Sequence, residues 1–247
     1  MKKIYSADNM RPFLRKNFIP ILVIVFVLGV GLAIHDMIRM RVKIIELTAL
    51  KDAYIYIQAI ETFRTLSTSK VVERVRPPGI NVSHDYVGKE GAIPLPATLS
   101  MELGEHIGVH SKGATSRLYS DYPFPWREDG GPRDQFERVA LFKLRRNPDE
   151  PYYEFVNYNG ALSLRFAKAD LMGPACVSCH NSHPHSPRRD WKAGDVRGVL
   201  EVILPLKKVN LYSVKTIWGR LPLFLLLGGI GMFLLYHIVN WIQAEEN

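Results

Sequence analysis

The sequence predicts an α+β domain with a small antiparallel sheet and a long N-terminal helix, flanked by two transmembrane helices. Two uncharged apolar runs, residues 18–34 and 221–242, lie near the two ends of the 247-residue chain. Between them, apolar residues first recur at helical spacing and later alternate as they do in strands. Helices followed by a group of short strands are the order expected of an α+β domain.

The first apolar run is long enough to cross a membrane. With helical neighbours at both ends, its 17 residues cover roughly 30 Å of hydrocarbon at about 1.5 Å per residue. The run follows a basic tail, as in a signal peptide, but no small-x-small cleavage site comes after it. We therefore expect an uncleaved anchor at residues 18–36 and a second membrane helix at residues 218–242.

A stripe of apolar residues continues beyond the first span and predicts a long helix that runs along the domain. Its members recur every three or four positions: Ile38, Val42, Ile45, Ala49, Ala53, Ile57 and Ile60. We expect this helix to end before Pro77 and Pro78. A stripe of this kind forms either part of a core or the contact of a parallel homodimer.

Two further helices and four strands are predicted after the long helix. One helix begins near Thr98, which suits an N-cap, and the other runs from Pro132 or Arg133 to about Arg146. The strands cover residues 117–119, 152–158, 161–167 and 198–204. Asn159 and Gly160, between the second and third strands, favour a hairpin turn. The last strand is apolar enough for a central position in the sheet.

The net charge of +8 limits the partners of the protein. A basic protein binds nucleic acid, an anionic membrane surface or an acidic partner. The basic residues are scattered along this chain and nothing resembles a nucleic-acid-binding fold, so we expect no nucleic acid. A membrane is the partner that the apolar runs indicate.

The motif Cys176-Val177-Ser178-Cys179-His180 carries the functional prediction, and it contains the only two cysteines of the chain. C-x-x-C-H is the attachment signature of c-type haem. Two thiols at this spacing can form thioethers with the two vinyl groups of one porphyrin, and His180 then lies beneath the iron as the proximal ligand. We therefore predict one covalently attached haem c.

Attachment of haem c takes place outside the cytoplasm, and this sets the predicted topology. Residues 37–217 form the periplasmic haem domain of a protein of the bacterial inner membrane. Residues 1–17 and 243–247 are then cytoplasmic tails. The basic residues ahead of the first span favour the same orientation of the N-terminus.

Two other chemistries compete for the same motif. A C-x-x-C pair also serves in thiol–disulfide exchange, normally at the start of a helix that follows a strand, which residues 170–174 do not suggest. His183 and His185 follow the motif, and with the two thiols they would give four ligands for a structural zinc ion. A single cysteine pair in an exported domain favours haem.

The residues around the haem are less well determined by the sequence. Candidate sixth ligands are His84, His106, His110, Met101 and Met172. We choose His84, because it follows a Pro/Gly break in a loop that can direct a side chain at a cofactor, while an open sixth site stays an alternative. His106 and His110 share a helix face with Glu102, which is more typical of a solvated surface.

Cations and aromatic residues are expected at the edges of a haem pocket. Candidate partners of the two haem propionates are Arg117, Arg127, Arg189 and Arg197. Aromatic residues that would wall the pocket, or else belong to the ordinary core, are Tyr119, Tyr122, Phe124, Trp126 and Trp191.

Three longer stretches resemble one known family. They are IPLPAT at residues 93–98, LYSDYPFPWR at residues 118–127, and PACVSCHNSHPHSPRRDWKAGDVRGVLEV at residues 174–202. They are similar to the periplasmic c-type haem sensor domain found N-terminal to bacterial nucleotide cyclases and sensor histidine kinases, long catalogued as a domain of unknown function. The resemblance covers roughly residues 53–206 and implies a PAS-like domain, with Cys176, Cys179 and His180 as its haem residues.

The chain departs from that family in two respects. Some relatives have a cysteine as the other axial ligand, and this chain has no further cysteine. Relatives also continue into a cytoplasmic output domain, whereas this chain stops at Asn247. A sensor of this kind would therefore signal through a partner protein.

Two functions follow from these observations. The first is a redox or small-ligand sensor, a regulatory subunit that acts on a signalling partner. The second is an electron-transfer cytochrome that relays electrons to a redox partner in the membrane or periplasm. The sequence contains no motif for a nucleophile–base pair and no glycine loop for phosphate, so we expect no enzymatic activity.

Overall fold

The computed structural model of the chain describes residues 7–75, 79–110, 113–206 and 211–245, and it divides into two units. One unit, which we call the central domain, is Ile45–Leu206, and the other combines Met1–Ile44 with Lys207–Asn247. The predicted helix end before Pro77 and Pro78 lies outside the described residues, as do the outermost tails.

The helices and strands follow the order predicted for an α+β domain. The helical segments are α1 (Ala7–Leu66), a π-helical turn (Ser67–Val72), α2 (Glu73–Val75), α3 (Pro96–His110), a 3-10 turn (Glu128–Gly130), α4 (Gln135–Arg146), α5 (Pro174–Ser182) and α6 (Leu211–Glu245). The strands are β1 (Asn81–Ser83), β2 (Ala92–Pro94), β3 (Thr115–Tyr119), β4 (Tyr152–Tyr158), β5 (Ala161–Leu171) and β6 (Val196–Pro205).

Strands β3 to β6 form one antiparallel sheet in the order β3-β6-β5-β4. The predicted hairpin is confirmed, because Tyr158 pairs with Ala161 around Asn159 and Gly160, which both have positive φ (50° and 79°). Both residue types tolerate this left-handed conformation. The prediction of a central position for the last strand is also confirmed, since β6 lies between β3 and β5.

The two faces of the sheet are covered by different helices. The α1 part of the central domain packs on one face through Ala53, Ile57 and Ile60. On the strands, that face presents Leu118, Leu164, Phe166, Leu200 and Val202. Helix α4 covers the opposite face with Phe136, Ala140, Leu141 and Leu144. Alternating side chains of β5 and β6 therefore belong to two separate apolar clusters, one on each face, as expected of a sheet covered on both sides.

Ion pairs set the position of α1 along the sheet. Glu61 accepts from Lys168 at 2.6 Å, and one turn later Arg64 donates to Asp170. Lys168 and Asp170 are two residues apart on β5 and therefore point to the same face. Side chains one turn apart on α1 therefore pair with side chains one strand repeat apart on β5, which fixes the position of the helix along the strand.

We expect Ile57→Ala to destabilise the central domain by about 2–5 kcal/mol, because it leaves a cavity where α1 meets the sheet. Ile57 is fully buried, at 0% exposure. Ile55, two residues earlier on the same helix, is 54% exposed, and Ile55→Ala serves as the matched control. Denaturant unfolding should show a change within about 0.5 kcal/mol for the control. Equal effects of the two variants would contradict this packing.

Several boundaries differ from those predicted. Helix α3 begins at Pro96 and not at Thr98, so Thr98 lies inside the helix and is not its N-cap. Helix α4 begins at Gln135, because the Asp134 side chain accepts from the Glu137 backbone N–H at 2.9 Å and caps it. The short parallel pair β1–β2 and the helix α5 were not predicted.

One of the two predicted membrane spans coincides with a helix of suitable length and composition. Within the described residues, one helical stretch, Pro20–Val75, contains a segment long and apolar enough to cross a membrane. Its composition and its place near the N-terminus suit a membrane anchor and a signal sequence alike. The apolar part of α6, Pro222–Ile238, is shorter. The second membrane span therefore stays a prediction.

Candidate functional site

The C-x-x-C-H motif lies on helix α5. Gly173 occupies the N-cap position, and Pro174 stands at the start of the helix, where a missing N–H costs nothing. Cys176, Cys179 and His180 are at positions i, i+3 and i+4, so the helix presents them on one face. All three side chains line the same cavity of the central domain.

This cavity encloses about 350 Å³, within the range of pockets that bind small molecules and cofactors. The last turn of α1 and the π-helical turn form one wall, and the first turn of α3 with Met101 forms another. The segment from Phe124 to Arg127 forms a third wall. The lining is mainly apolar, which favours a largely apolar ligand.

Three arginines face the polar side of this cavity. Arg64 and Arg197 both pair with Asp170, with Arg197 Nη1 at 3.7 Å from Oδ2. Burial lowers the pKa of Arg197 despite the opposing effect of Asp170. Burial also acts against the charge of Arg64, but Asp170, Cys176 and Glu61 together outweigh it and raise the pKa of Arg64. We call Arg64, Arg127, Arg197 and Asp170 the arginine cluster.

Arg127 is the member of the arginine cluster without a carboxylate partner in the described part of the chain. Its Nη2 donates to the backbone carbonyl of Leu118 at 2.7 Å. Burial and the charge of Arg197 lower the pKa of Arg127 to about 10. Three guanidinium groups thus face one buried carboxylate, a net charge of +2 (3 − 1), while Glu73 at the cavity edge is exposed to solvent.

His180 is held in the neutral state that binds metals. Burial, with a smaller effect from the charge of Arg197, lowers the pKa of His180 to about 4. Its ring lies 5.1 Å from the ring of Phe124. A neutral imidazole offers a free lone pair, which is what an iron ligand requires.

The structure places His84 beside this cavity and not in its wall. The exposed His84 ring stacks on Trp126, with centroids 4.0 Å apart and planes 6° from parallel. It lines an adjoining cleft together with His183 and His185. Two other candidate ligands, Met101 and the buried Met172, line the cavity itself. His84 as the sixth ligand stays a prediction.

The remaining predicted residues are divided between the cavity and other parts of the domain. Arg127, Arg197, Phe124 and Trp126 line the cavity. Arg117 pairs instead with Glu137 at 2.9 Å, and the exposed Arg189 donates to the Pro184 carbonyl. Tyr119 lies in the core under α4, and Tyr122 packs on Trp191 with ring centroids 5.6 Å apart. His106 and His110 are exposed on α3.

The structure also bears on the two competing chemistries. The two cysteines follow a strand at the start of a helix, because β5 runs to Leu171 and α5 begins at Pro174. The expectation that residues 170–174 lack this context is wrong. For zinc, the described residues contain no group of three or more His, Cys, Asp or Glu side chains that could hold a metal ion. The place of the cysteines after a strand is therefore compatible with a thiol–disulfide motif as well as with haem attachment.

Sequence reasoning missed Arg64, Asp170 and the π-helical turn. Both charged residues continue an apolar pattern at core-facing positions: Arg64 follows Ile57 and Ile60 on α1, and Asp170 follows Leu164 and Phe166 on β5. A charged residue at a core-facing position was the sequence signal that could have identified both residues as part of a site. In the π-helical turn, Thr68 and Ser69 donate to the carbonyls four residues earlier. Such turns occur often at functional sites.

Comparison with known proteins gives one match. A family model described as Tll0287-like matches residues 42–205, most of the chain and nearly all of the central domain. It describes a domain of unknown function and is consistent with the family resemblance noted in the sequence. No curated protein and no solved structure matches the chain significantly.

Proposed function

This chain belongs to the Tll0287-like family, and on that premise we propose that its central domain is a PAS-like, mono-haem c-type cytochrome domain that senses redox state or a small ligand. One observation carries the proposal. Cys176, Cys179 and His180 project from one face of α5 into an apolar cavity whose polar side has an excess of two positive charges. Two thiols, a neutral imidazole and a dicationic edge match the vinyl groups, iron and propionates of one haem.

The residues of the cavity would have distinct roles toward that haem. Cys176 and Cys179 would hold it by thioether bonds, and His180 would bind the iron. Arg127, with Arg64 and Arg197, would neutralise the propionates, while Phe124 and Trp126 exclude water from the ring. Bound haem would supply an iron that changes oxidation state and accepts a small ligand. Burial and hydrogen bonding by the surrounding residues would set its potential.

The proposed location follows from the same chemistry. Attachment outside the cytoplasm would put the central domain in the periplasm, anchored in the inner membrane by the apolar part of α1 and by the predicted second span. Both termini would then be cytoplasmic. A sensor also needs two states that differ in free energy and a receiver for the change, and we propose a signalling protein as that receiver.

Electron transfer is the second candidate function. Leu171 and Pro174 line the cavity and are both exposed, Leu171 at 44%. An apolar, solvent-exposed edge would give a redox partner close access to the haem. Such a protein keeps its iron closed to exogenous ligands, whereas a ligand sensor keeps one position open or exchangeable.

We expect a pyridine haemochrome spectrum of the purified protein to show one c-type haem per chain that resists acid–acetone extraction. Carbon monoxide added to the reduced protein should change the spectrum if the sixth position is open or exchangeable, as in a ligand sensor. An unchanged low-spin spectrum would favour electron transfer, and comparison with His84→Ala would then test the predicted sixth ligand. If the protein contains no haem, the proposed function fails.

A further inference from the structure

A second group of ionisable residues lies on the other face of the sheet, under α4, and has no part in the proposed haem chemistry. Glu201 on β6 is at its centre. Around it are Arg165 from β5, Arg117 and Tyr119 from β3, and Asp134 and Glu137 from the start of α4. We call these six residues the α4 network.

Glu201 is the least compensated carboxylate of the α4 network. Its side chain is fully buried, and Oε1 accepts from Arg165 Nε at 2.6 Å. Its Oε2 is buried and has no hydrogen-bond partner among the described residues. A buried carboxylate oxygen without a donor is costly when it carries charge.

The two guanidinium groups of the α4 network are shared with other carboxylates. Arg165 Nη1 lies 2.5 Å from Asp134 Oδ2, and Arg117 Nε lies 2.9 Å from Glu137 Oε1. Three carboxylates therefore face two guanidinium groups, which leaves one negative charge in surplus (3 − 2), while Arg138, whose charge also acts on Asp134, is exposed to solvent. Asp134 and Glu137 each also accept a backbone N–H, whereas Glu201 Oε2 accepts no hydrogen bond from the part of the chain that the structure describes.

The Tyr119 hydroxyl is another buried polar group that lacks a hydrogen-bond partner among the residues described. Arg117 pairs with Glu201 in the strand register, and Tyr119 follows two residues later on the same face. The Tyr119 ring is fully buried, and its hydroxyl has no hydrogen-bond partner within the described residues. Burial raises the pKa of Tyr119 well above its ordinary value, so this hydroxyl does not ionise. Within the described residues this hydroxyl donates no hydrogen bond to Glu201, so it does not offset a charge there.

We propose that Glu201 is a proton-binding site that couples the attachment of α4 to pH, so that the central domain responds to the pH of its surroundings whether or not it binds haem. With a proton on Glu201, the α4 network is neutral and α4 packs firmly on the sheet. When the proton leaves, the surplus charge is buried between α4 and β6, and this contact weakens. Within the described residues, the charged groups around Glu201 are Arg165 on β5, Arg117 on β3, and Asp134 and Glu137 at the start of α4, with the titratable Tyr119 beside them.

The direction of the pH effect follows from the position of Glu201. Burial raises the pKa of Glu201 from 4.5 to about 7, with Glu137 and Asp134 adding to the rise and Arg165 opposing it. The folded state therefore keeps a proton that the unfolded state has lost. The stabilisation is complete below the unfolded pKa and disappears as the pH rises through the folded pKa. Between these values, the unfolding constant should rise by about tenfold per pH unit.

The test is denaturant unfolding of the full-length protein, as purified in detergent, between pH 5 and pH 8. In the wild type, the loss of a proton from Glu201 should make the unfolding constant rise with pH. We expect Glu201→Gln to remove this rise, because glutamine is neutral at every pH. Glu105→Gln, at an exposed position on α3, is the matched control and should retain it. Histidines whose pKa is lowered in the folded state make the unfolding constant fall as the pH rises. Their contribution is the same in the wild type, Glu201→Gln and Glu105→Gln, so it cancels in the comparison. Equal pH dependence in wild type and Glu201→Gln would overturn the proposal.

A second measurement uses only the wild type, so it tests the proposal even if Glu201→Gln does not fold. Hydrogen exchange of the wild type, corrected for the intrinsic effect of pH, should show faster opening of α4 at pH 8 than at pH 6. The strand pair β4–β5 should change much less. Infrared difference spectra should show the carbonyl band of one buried carboxylic acid disappearing over the same range. Opening of α4 that is independent of pH, or the absence of that band, would overturn the proposal.

Discussion

Replacing both Cys176 and Cys179 by serine is expected to abolish every trace of pigment that survives denaturation. A serine hydroxyl does not form the thioether bond, so haem would be held at most by His180 and the apolar walls. Serine is close to cysteine in size, and both cysteines are only partly buried. The fold should therefore persist. Haem staining of a denaturing gel and a pyridine haemochrome spectrum measure the loss directly.

The control for this variant lies between the two cysteines. Ser178 is exposed on α5, so Ser178→Ala should retain full pigment. Each single variant should keep one thioether and show a shifted haemochrome band. Pigment that resists denaturation in the double variant would refute the attachment at these residues. A wild type without pigment, in which the two thiols form a reversible disulfide, would instead establish thiol–disulfide chemistry on α5.

Local patterns made much of the fold predictable. The hairpin at Asn159 and Gly160 needs left-handed backbone that few residues adopt, so two neighbouring positions determine where β4 ends and β5 begins. Helix α4 was also predictable from a local pattern, because its apolar residues recur at helical spacing and a capping group precedes them. Helix α5 has no such apolar periodicity. Its start depends on Gly173 and Pro174, which are a weaker signal than a side-chain cap followed by an apolar stripe.

The site was predictable only as far as it is local in sequence. Cys176, Cys179 and His180 form one motif, and one turn of helix brings them together. Arg64 and Asp170 are 106 residues apart and meet only because α1 packs across β5. The place of His84 depends likewise on its stack with Trp126, 42 positions away in the chain, which no loop pattern reveals. Contacts of this kind follow from tertiary packing.

The arginine cluster yields the second large expected effect, that of Asp170→Asn. Asp170 is the carboxylate shared by Arg64 and Arg197, and the three side chains are 6%, 18% and 10% exposed. Breaking a buried ion pair by removing one partner costs about 3–5 kcal/mol, because the remaining charge is left uncompensated. We expect a loss of this size in the unfolding free energy of the haem-free Cys176→Ser, Cys179→Ser protein. Asp85→Asn, which removes an exposed pair with Lys89, should have no measurable effect.

The same substitution in the haem-loaded protein tests the site itself. If two propionates lie against Arg64, Arg127 and Arg197, they compensate part of the charge that Asp170 leaves behind, and the loss of stability should be clearly smaller than in the haem-free protein. The difference between the two losses is the coupling between Asp170 and the bound haem, which a double-mutant cycle isolates from the other effects of each change. Equal losses would mean that the haem carboxylates lie elsewhere. The excess charge of the arginine cluster would then need a different anion, and the assignment of its arginines would be wrong even if the thioether bonds are present.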